Sequence, residues 1–254
     1  MGPVVVRHLD VPIAGWPPHR DSLRIAHLSD LHLRTWDRRL EHTRELLLGL
    51  QYDLLAVTGD FCNHADEWPR AAELSRRLFA SVHVPGGSFA VLGNHDDPRL
   101  ADESGLNLQF LRDRQVLVNR GETVWAIAGI EQTQGRRVSL ESALNGHDRD
   151  TPVVLLAHYP SAVYDVPAGT VELVLAGHTH GGQIRLPLLG CVWTNDRVPG
   201  RLARGLHRVG GTRLHVSPGI GVSGPIPWRW RCPPEITILR LGAPVADNRR
   251  NGAA

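Results

Sequence analysis

Two histidines one residue apart, in Gly177-His178-Thr179-His180-Gly181-Gly182, follow the apolar run Val171 to Ala176. At the end of a strand the backbone changes direction, so both imidazoles can turn into one site. The flanking glycines lack Cβ atoms and allow a sharp turn and a close approach to a ligand. The pair gains its meaning from company. Asp30 and His32 follow the run Leu23 to Leu28, and Asp60 follows Asp53 to Thr58. Asn94 and His95 follow Gly87 to Leu92, and His158 follows Val153 to Ala157. Imidazole and carboxylate without thiolate suit Mn²⁺ first, with Fe or Zn²⁺ as alternatives, in a reactive rather than a structural site. The set is too large for one ion and suits two ions sharing a carboxylate. Two metals roughly 3.5–4 Å apart clamp an in-line displacement at phosphorus, with hydroxide as nucleophile.

The elements that must position these residues alternate. Apolar runs at 23–28, 53–58 and 87–92 predict strands, and leucines at helical spacing over 40–50 and the amphipathic stretch Trp68 to Phe79 predict helices between them. Strand, polar cluster and helix recur in order, the signature of a mostly parallel α/β sheet, whose ligand sites lie beyond the carboxyl ends of the strands. Val4 to Val11 predicts a first edge strand. Leu106 to Leu111 predicts a short helix, and Val116 to Val118, Val124 to Ile130, Leu214 to Ser217 and Glu235 to Leu241 predict later strands. Residues 1–242 read as one domain, and 243–254, rich in Gly, Ala and Asn, as a frayed tail.

Composition narrows the function classes. The 254 residues can bury a core, and the formal net charge is only +2, too small to argue for nucleic acid as a dedicated partner. Every Lys/Arg position is arginine. Cys62, Cys191 and Cys232 are far apart and odd in number, so no disulfide framework follows. The sequence shows no secretory leader pattern and no apolar run of membrane-span length. The expectation is a cytoplasmic chain with no protein partner implied.

The blocks Asp30-Leu31-His32, Gly59-Asp60, Gly93-Asn94-His95-Asp96, His158 and Gly177-His178-Thr179-His180 together resemble, in order, the calcineurin-like metallophosphoesterases. The stretches Gly181 to Pro187 and Cys232 to Ile236 look more particularly like a bacterial phosphodiesterase branch akin to the UDP-diacylglucosamine hydrolases. The resemblance implies a four-layer αββα sandwich of the α/β class and a centre of two divalent ions acting on a phosphate ester. It implies one ion on Asp30, His32, Asp60 and His180, the other on Asp60, Asn94, His158 and His178, and His95 as general acid for the leaving oxygen. The direct reading favours phosphodiesters, with a phosphomonoesterase or a non-catalytic metal-dependent scaffold as alternatives. In protein Ser/Thr phosphatases the bridging Asp begins Asp-x-x-Asp-Arg; here the block is Asp60-Phe61-Cys62-Asn63-His64. The second Asp, partner of the catalytic histidine there, is replaced by Asn63, which speaks against a protein phosphatase.

Asn63 and Arg185 are the substrate-binding candidates, and Arg201 is a further rim candidate. His27, inside a strand, reads as a core-edge histidine and Cys62 as a small buried filler. Trp228-Arg229-Trp230-Arg231, as an alternating strand, puts both tryptophans on one face and both arginines on the other. The tryptophans then pack on the core; the alternatives are an arginine face at the cleft rim or a patch that touches lipid, a membrane contact that the sequence allows without favouring it.

Overall fold

The structure is a computed structural model that describes all residues except 1, 14, 15, 18, 134–139, 149, 188, 192, 193, 225, 226 and 243–254. The expected tail therefore lies outside the described residues. The chain runs β1 (Val5–Pro12), β2 (Leu23–Leu28), α1 (Arg38–Gly49), β3 (Leu54–Thr58), α2 (Trp68–Phe79), β4 (Ser88–Val91) and β5 (Gln109–Phe110). It continues through β6 (Arg114–Arg120), β7 (Thr123–Gly129), α3 (Leu140–Ala143), β8 (Val153–Leu156) and β9 (Leu173–Ala176). The last elements are β10 (Arg185–Leu186), β11 (Gly190–Cys191), β12 (Gly205–Val209), β13 (Thr212–Val216) and β14 (Glu235–Gly242).

Two six-stranded mixed sheets face each other, ordered β1-β14-β2-β3-β4-β5 and β12-β13-β9-β8-β7-β6. The repeated strand–helix alternation predicts one mostly parallel sheet; the parallel runs are real but split between the two. β2 to β5 are parallel in the first, and β7, β8, β9 and β13 in the second, with antiparallel β14, β6 and β12 added beside them. Strands buried on both faces read as continuous apolar runs, so sequence pattern alone does not say which sheet each joins.

Three apolar clusters define the layers. Ile25, Leu54, Phe89, Trp125, Ile127 and Leu175 fill the space between the sheets. Leu40, Leu47, Leu74, Leu78 and Phe79 of α1 and α2 cover the outer face of the first sheet with Leu28, Leu55 and Ala90. Ala143 of α3, with Ala162 and Val163, covers the outer face of the second with Leu155 and Val174. The result is the αββα sandwich, with a thin second helical layer. Each helix follows from local chemistry. Asp37 caps α1 by accepting from the Leu40 amide at 2.9 Å, and Pro69 stands in the first turn of α2, where its missing amide costs nothing.

Two expectations change. Residues 106–111 form turns and the two-residue edge strand β5, with Gly105 at φ 74° and Asn107 at φ 53°. Buried Leu106 and Phe110 lie four apart, a helical spacing, but left-handed backbone at Gly105 and Asn107 prevents the helix. The tryptophans of 228–231 do not pack on the core: Trp228 is 51% and Trp230 43% exposed, and Trp230 forms an isolated bridge with Ile184. His27 is fully buried in the seam between the sheets, with Nδ1 2.9 Å from Nδ1 of His215 on β13 and Nε2 2.9 Å from Thr58 Oγ1. Burial keeps both imidazoles neutral, pushing His27 well below its ordinary value and His215 to about 3. Cys62 is buried, and Cys62, Cys191 and Cys232 are not joined in disulfides.

The loops beyond the strands approach so closely that glycine is required. A Cβ on Gly177 would lie 1.7 Å from Ser29 Oγ and 2.5 Å from Asp30 Oδ2. Gly177→Ala should therefore destabilise the fold by about 2 kcal/mol or more in urea titration, in the range of overpacked sites. Gly49→Ala at the end of α1, where a Cβ meets nothing within 4 Å, should leave stability unchanged or raise it by up to about 1 kcal/mol.

Candidate metal centre

β2, β3 and β4 of one sheet and β8 and β9 of the other end at the same place. Past these ends the chain delivers Asp30 and His32, Asp60, Asn94 and His95, His158, then His178 and His180. The loops after β2 and β3 run side by side, with the Asp30 amide on the Gly59 carbonyl at 2.9 Å and the His32 amide on the Asp60 carbonyl at 3.0 Å. Asp30, His32, Asp60, His178 and His180 all have left-handed backbone, with φ between 43° and 67°. For residues with a Cβ such backbone costs roughly 1 kcal/mol or more each and persists only where the surroundings enforce it.

The side chains gather in two sets that share Asp60. Asp30, His32, Asp60 and His180 offer ligand atoms within 4.8 Å of one another, as do Asp60, His158 and His178, and all six residues are buried. In the first set His32 Nε2 lies 3.1 Å from His180 Nε2 and 3.6 Å from Asp60 Oδ2, and His180 Nε2 lies 3.6 Å from Asp30 Oδ1. In the second, His158 Nε2 lies 3.3 Å from Asp60 Oδ1 and from His178 Nδ1. Asn94 Oδ1, 3.0 Å from His158 Nε2, completes that set.

The far nitrogens are tied down. His158 Nδ1–H donates to the Thr58 carbonyl at 2.9 Å, and His178 Nε2–H donates to the Asn195 carbonyl at 2.9 Å. Each bond fixes a tautomer and leaves the opposite nitrogen as the donor atom, the usual support of a ligating histidine. Gln132 Oε1 accepts from the amides of His158 and Tyr159 at 2.7 and 2.8 Å. Asp96 Oδ1 and Oδ2 accept from the amides of Cys62 and Gly93, at 2.8 and 2.9 Å, and lock the β3 and β4 loops together.

Charge completes the case that this donor set fits cations. Two buried carboxylates face each other: burial pushes Asp30 up to about 7, with the Asp60 charge adding to the effect. Burial works the same way on Asp60, but His158, His32 and His95 outweigh it and hold Asp60 below the usual carboxylate range. Burial pushes His32 and His178 down to about 4 and His180 well below its ordinary value, so three imidazoles present lone pairs at neutral pH. His158 goes the other way: burial disfavours its charge, but Asp60 and then Asp30 lift it to about 9. Its Nε2 proton stands between Asn94 and Asp60, where the second set would hold an ion.

His95 belongs to neither set. Its amide donates to Asp60 Oδ1 at 3.0 Å, its ring meets His32 edge-on at 5.4 Å, and Nδ1–H donates to the Asn63 main-chain carbonyl at 2.8 Å. The Asn63 contribution is therefore its backbone oxygen. A cavity of about 660 Å³ opens over His95, His178 and His180, walled by Ile184 and Leu186 on one side and Thr194 and Asn195 on another. Neither Asn63 nor Arg185 lines it; Arg185 Nη1 donates to the Gly181 carbonyl at 2.8 Å. Arg201 is exposed on the short turn Gly200–Leu202. Arg229 lies behind His180, with Nη2 3.3 Å from Nδ1.

Sequence reasoning assigned no role to Asp96, Gln132, Asn195 or Thr58. Asp96 could have been found, since it stands two residues after a ligand in a polar cluster. Thr58 and Asn195 act through carbonyls and leave no trace in residue type.

The two buried sets sharing Asp60 form a candidate metal-binding cluster compatible with two ions. The chain matches the calcineurin-like phosphoesterase family over residues 23–182 and belongs to that family. It is 31% identical over 242 residues to an uncharacterized metallophosphoesterase of Aquifex aeolicus (strain VF5), covering 88% of this chain and 87% of the relative. It is 26% identical over 282 residues to the UDP-2,3-diacylglucosamine pyrophosphatase LpxG of Chlamydia trachomatis, covering 87% and 84%. Among solved structures it is similar in fold to TT1561 of Thermus thermophilus, with a TM-score of 0.52 at 15% identity, covering 79% of this chain and 91% of that one. No helix among the described residues is long and apolar enough to cross a membrane.

Loading the metal-free chain should take up two ions and release about one proton per chain near pH 8, because a His158 raised to about 9 must give up its proton to become a ligand. Affinity should rise with pH up to about 9 and fall as pH drops. Calorimetry in buffers of differing ionisation enthalpy reads both; no proton release would mean that His158 is already neutral in the metal-free chain.

Proposed function

We propose that the chain hydrolyses phosphodiester bonds at this centre with two divalent ions, Mn²⁺ being the first choice. Asp30, His32, Asp60 and His180 would hold one ion, and Asp60, Asn94, His158 and His178 the other. When bound, such ions supply Lewis acidity and lower the pKa of water at neutral pH. The chain's own residues do the rest. Asp60 sets the spacing of the two sets. The Asn63 carbonyl orients His95 through Nδ1, which leaves Nε2 as the ring atom available to protonate the leaving oxygen.

One observation carries the preference for diesters. No arginine lines the cavity among the described residues; beyond the ligands and His95 its walls are uncharged, with Gln183, Thr194, Asn195 and Ser223 beside Ile184 and Leu186. A phosphomonoester dianion would bring a second charge that no guanidinium in the described lining meets. A diester monoanion brings one charge and a second substituent, for which the apolar wall and the adjoining cavity of about 840 Å³ at Tyr159, Thr194 and Pro199 give room. The Chlamydia relative is named as a UDP-2,3-diacylglucosamine pyrophosphatase, and each phosphorus of a pyrophosphate substituted at both ends carries, like that of a diester, two substituents and one charge. With Mn²⁺ added, bis-p-nitrophenyl phosphate should be hydrolysed with a kcat/KM at least roughly tenfold above that for p-nitrophenyl phosphate. The reverse order would make the chain a phosphomonoesterase, and inactivity on both with two ions bound would favour a scaffold.

His95→Asn should keep both ions and substrate binding. It should slow alkyl phosphodiesters by roughly 10²–10⁴ and nitrophenyl diesters far less, since nitrophenolate leaves without a proton. Metal loss in the variant would make His95 a ligand; equal slowing of both esters would make it an electrostatic stabiliser of the phosphoryl oxygens.

A further inference from the structure

The segment 227–231 inverts the usual order of a surface strand. Its middle charge, Arg229, turns inward, where Nε donates to the Gly221 carbonyl at 2.8 Å. Trp228 and Trp230 turn outward and stay about half exposed. Neighbouring indoles left in water mark a surface made for contact. They have company. The Trp230 amide donates to the Gln183 carbonyl at 3.0 Å and the Arg185 amide to the Trp230 carbonyl at 3.1 Å, which joins the segment to the β10–β11 hairpin. That hairpin carries Leu186 and Leu189, 41% and 73% exposed. These four are half of the large exposed hydrophobics among the described residues; the others, Leu48, Leu117, Val124 and Tyr164, lie elsewhere in the chain. Leu186 also walls the cavity over the metal ligands, so the platform continues into the mouth of the site.

The stretch of chain that builds the platform is predominantly basic. Between Glu172 and Glu235 the chain holds one acidic residue, Asp196, and eight arginines, and neither the hairpin nor residues 219–234 include a carboxylate. Arg231 lies 5.9 Å from the centre of the Trp230 ring. Arg201 is exposed on the turn whose Gly200 abuts the Cys191 carbonyl of β11. Indoles at headgroup depth, leucines at the acyl boundary and guanidinium groups facing lipid phosphate are the chemistry of an interfacial contact.

We propose that this platform docks the chain on an anionic bilayer, with the mouth of the cavity turned toward the headgroups. Trp228, Trp230 and Leu189 enter the interface, and Arg201 and Arg231 meet lipid phosphates. The arginines argue against a purely apolar occupant, and the exposed tryptophans and leucines need more than a soluble anion.

Flotation of the full chain with phosphatidylcholine vesicles, with and without roughly one-third phosphatidylglycerol, tests this. The chain should float with the anionic vesicles, and added salt should weaken the binding. Trp228→Ser with Trp230→Ser should weaken it roughly tenfold or more, with thermal unfolding unchanged. Leu189→Ser, a smaller change at the most exposed leucine, should weaken it in the same direction, and Leu48→Ser on α1 should not. A wild-type chain that stays unbound on anionic vesicles overturns the proposal, as does a double variant that floats like wild type. A dimer that the tryptophan changes dissolve, without flotation of the wild type, would make the platform a contact between copies and overturn it too. The readout needs no turnover, so its failure is distinct from failure of the proposed hydrolysis.

Discussion

A buried carboxylate between imidazoles from two sheets is the interaction on which the rest of this structure depends. Asp60 is 1% exposed and lies against His32 on one side and His158 on the other. A charge at that depth is costly unless an opposite charge stands beside it. In the metal-free chain the His158 proton serves, and the donor geometry around it is that of a cation site. The other features follow from holding this charge in a dry place. The far nitrogens of His158 and His178 are pinned to carbonyls, the glycines let two loops touch, and five ligands accept left-handed backbone because strands fixed in two sheets leave no other path.

Much of this was legible in the residue types. Ligands are among the few residues whose chemistry fixes their identity, and they recur at the carboxyl ends of apolar runs, so strand order and site emerged together from the pattern. What stayed hidden has physical reasons. Strands buried on both faces carry no alternation, so the split into two sheets was not written in periodicity. The helix expected over 106–111 rested on leucine spacing, which the left-handed Gly105 and Asn107 overrode. Trp228 to Arg231 was misleading because hydrophobicity predicts burial only when nothing else claims the interior. Here the Gly221 carbonyl and the neighbourhood of His180 claim Arg229, and the indoles are displaced outward.

The partner of His95 shows how a local replacement changes chemistry without changing geometry. The Asp of protein phosphatases is Asn63 here, and the contact that remains comes from its main chain. A carbonyl orients the ring as a carboxylate would but adds no full negative charge to stabilise an imidazolium. The ring's orientation is thus kept by a main-chain partner. Asp96, the other acid of the β4 loop, is committed to the Cys62 and Gly93 amides and is pushed up to about 6, by burial first and by the Asp60 charge second.

Drawing each ligand set from both sheets has a mechanical consequence. Asp30 and His180 are far apart in the chain, and one ion held by both closes the long loop between them, much as a disulfide would. Since the β2–β4 loops and the β8–β9 loops supply opposite sides of each set, an occupied centre acts as a rivet through the end of the sandwich. Loop closure on this scale removes much of the freedom of the unfolded chain. The cavity end of the molecule, which holds the strained backbone, would then be its most tightly fastened end when loaded and its first to open when stripped.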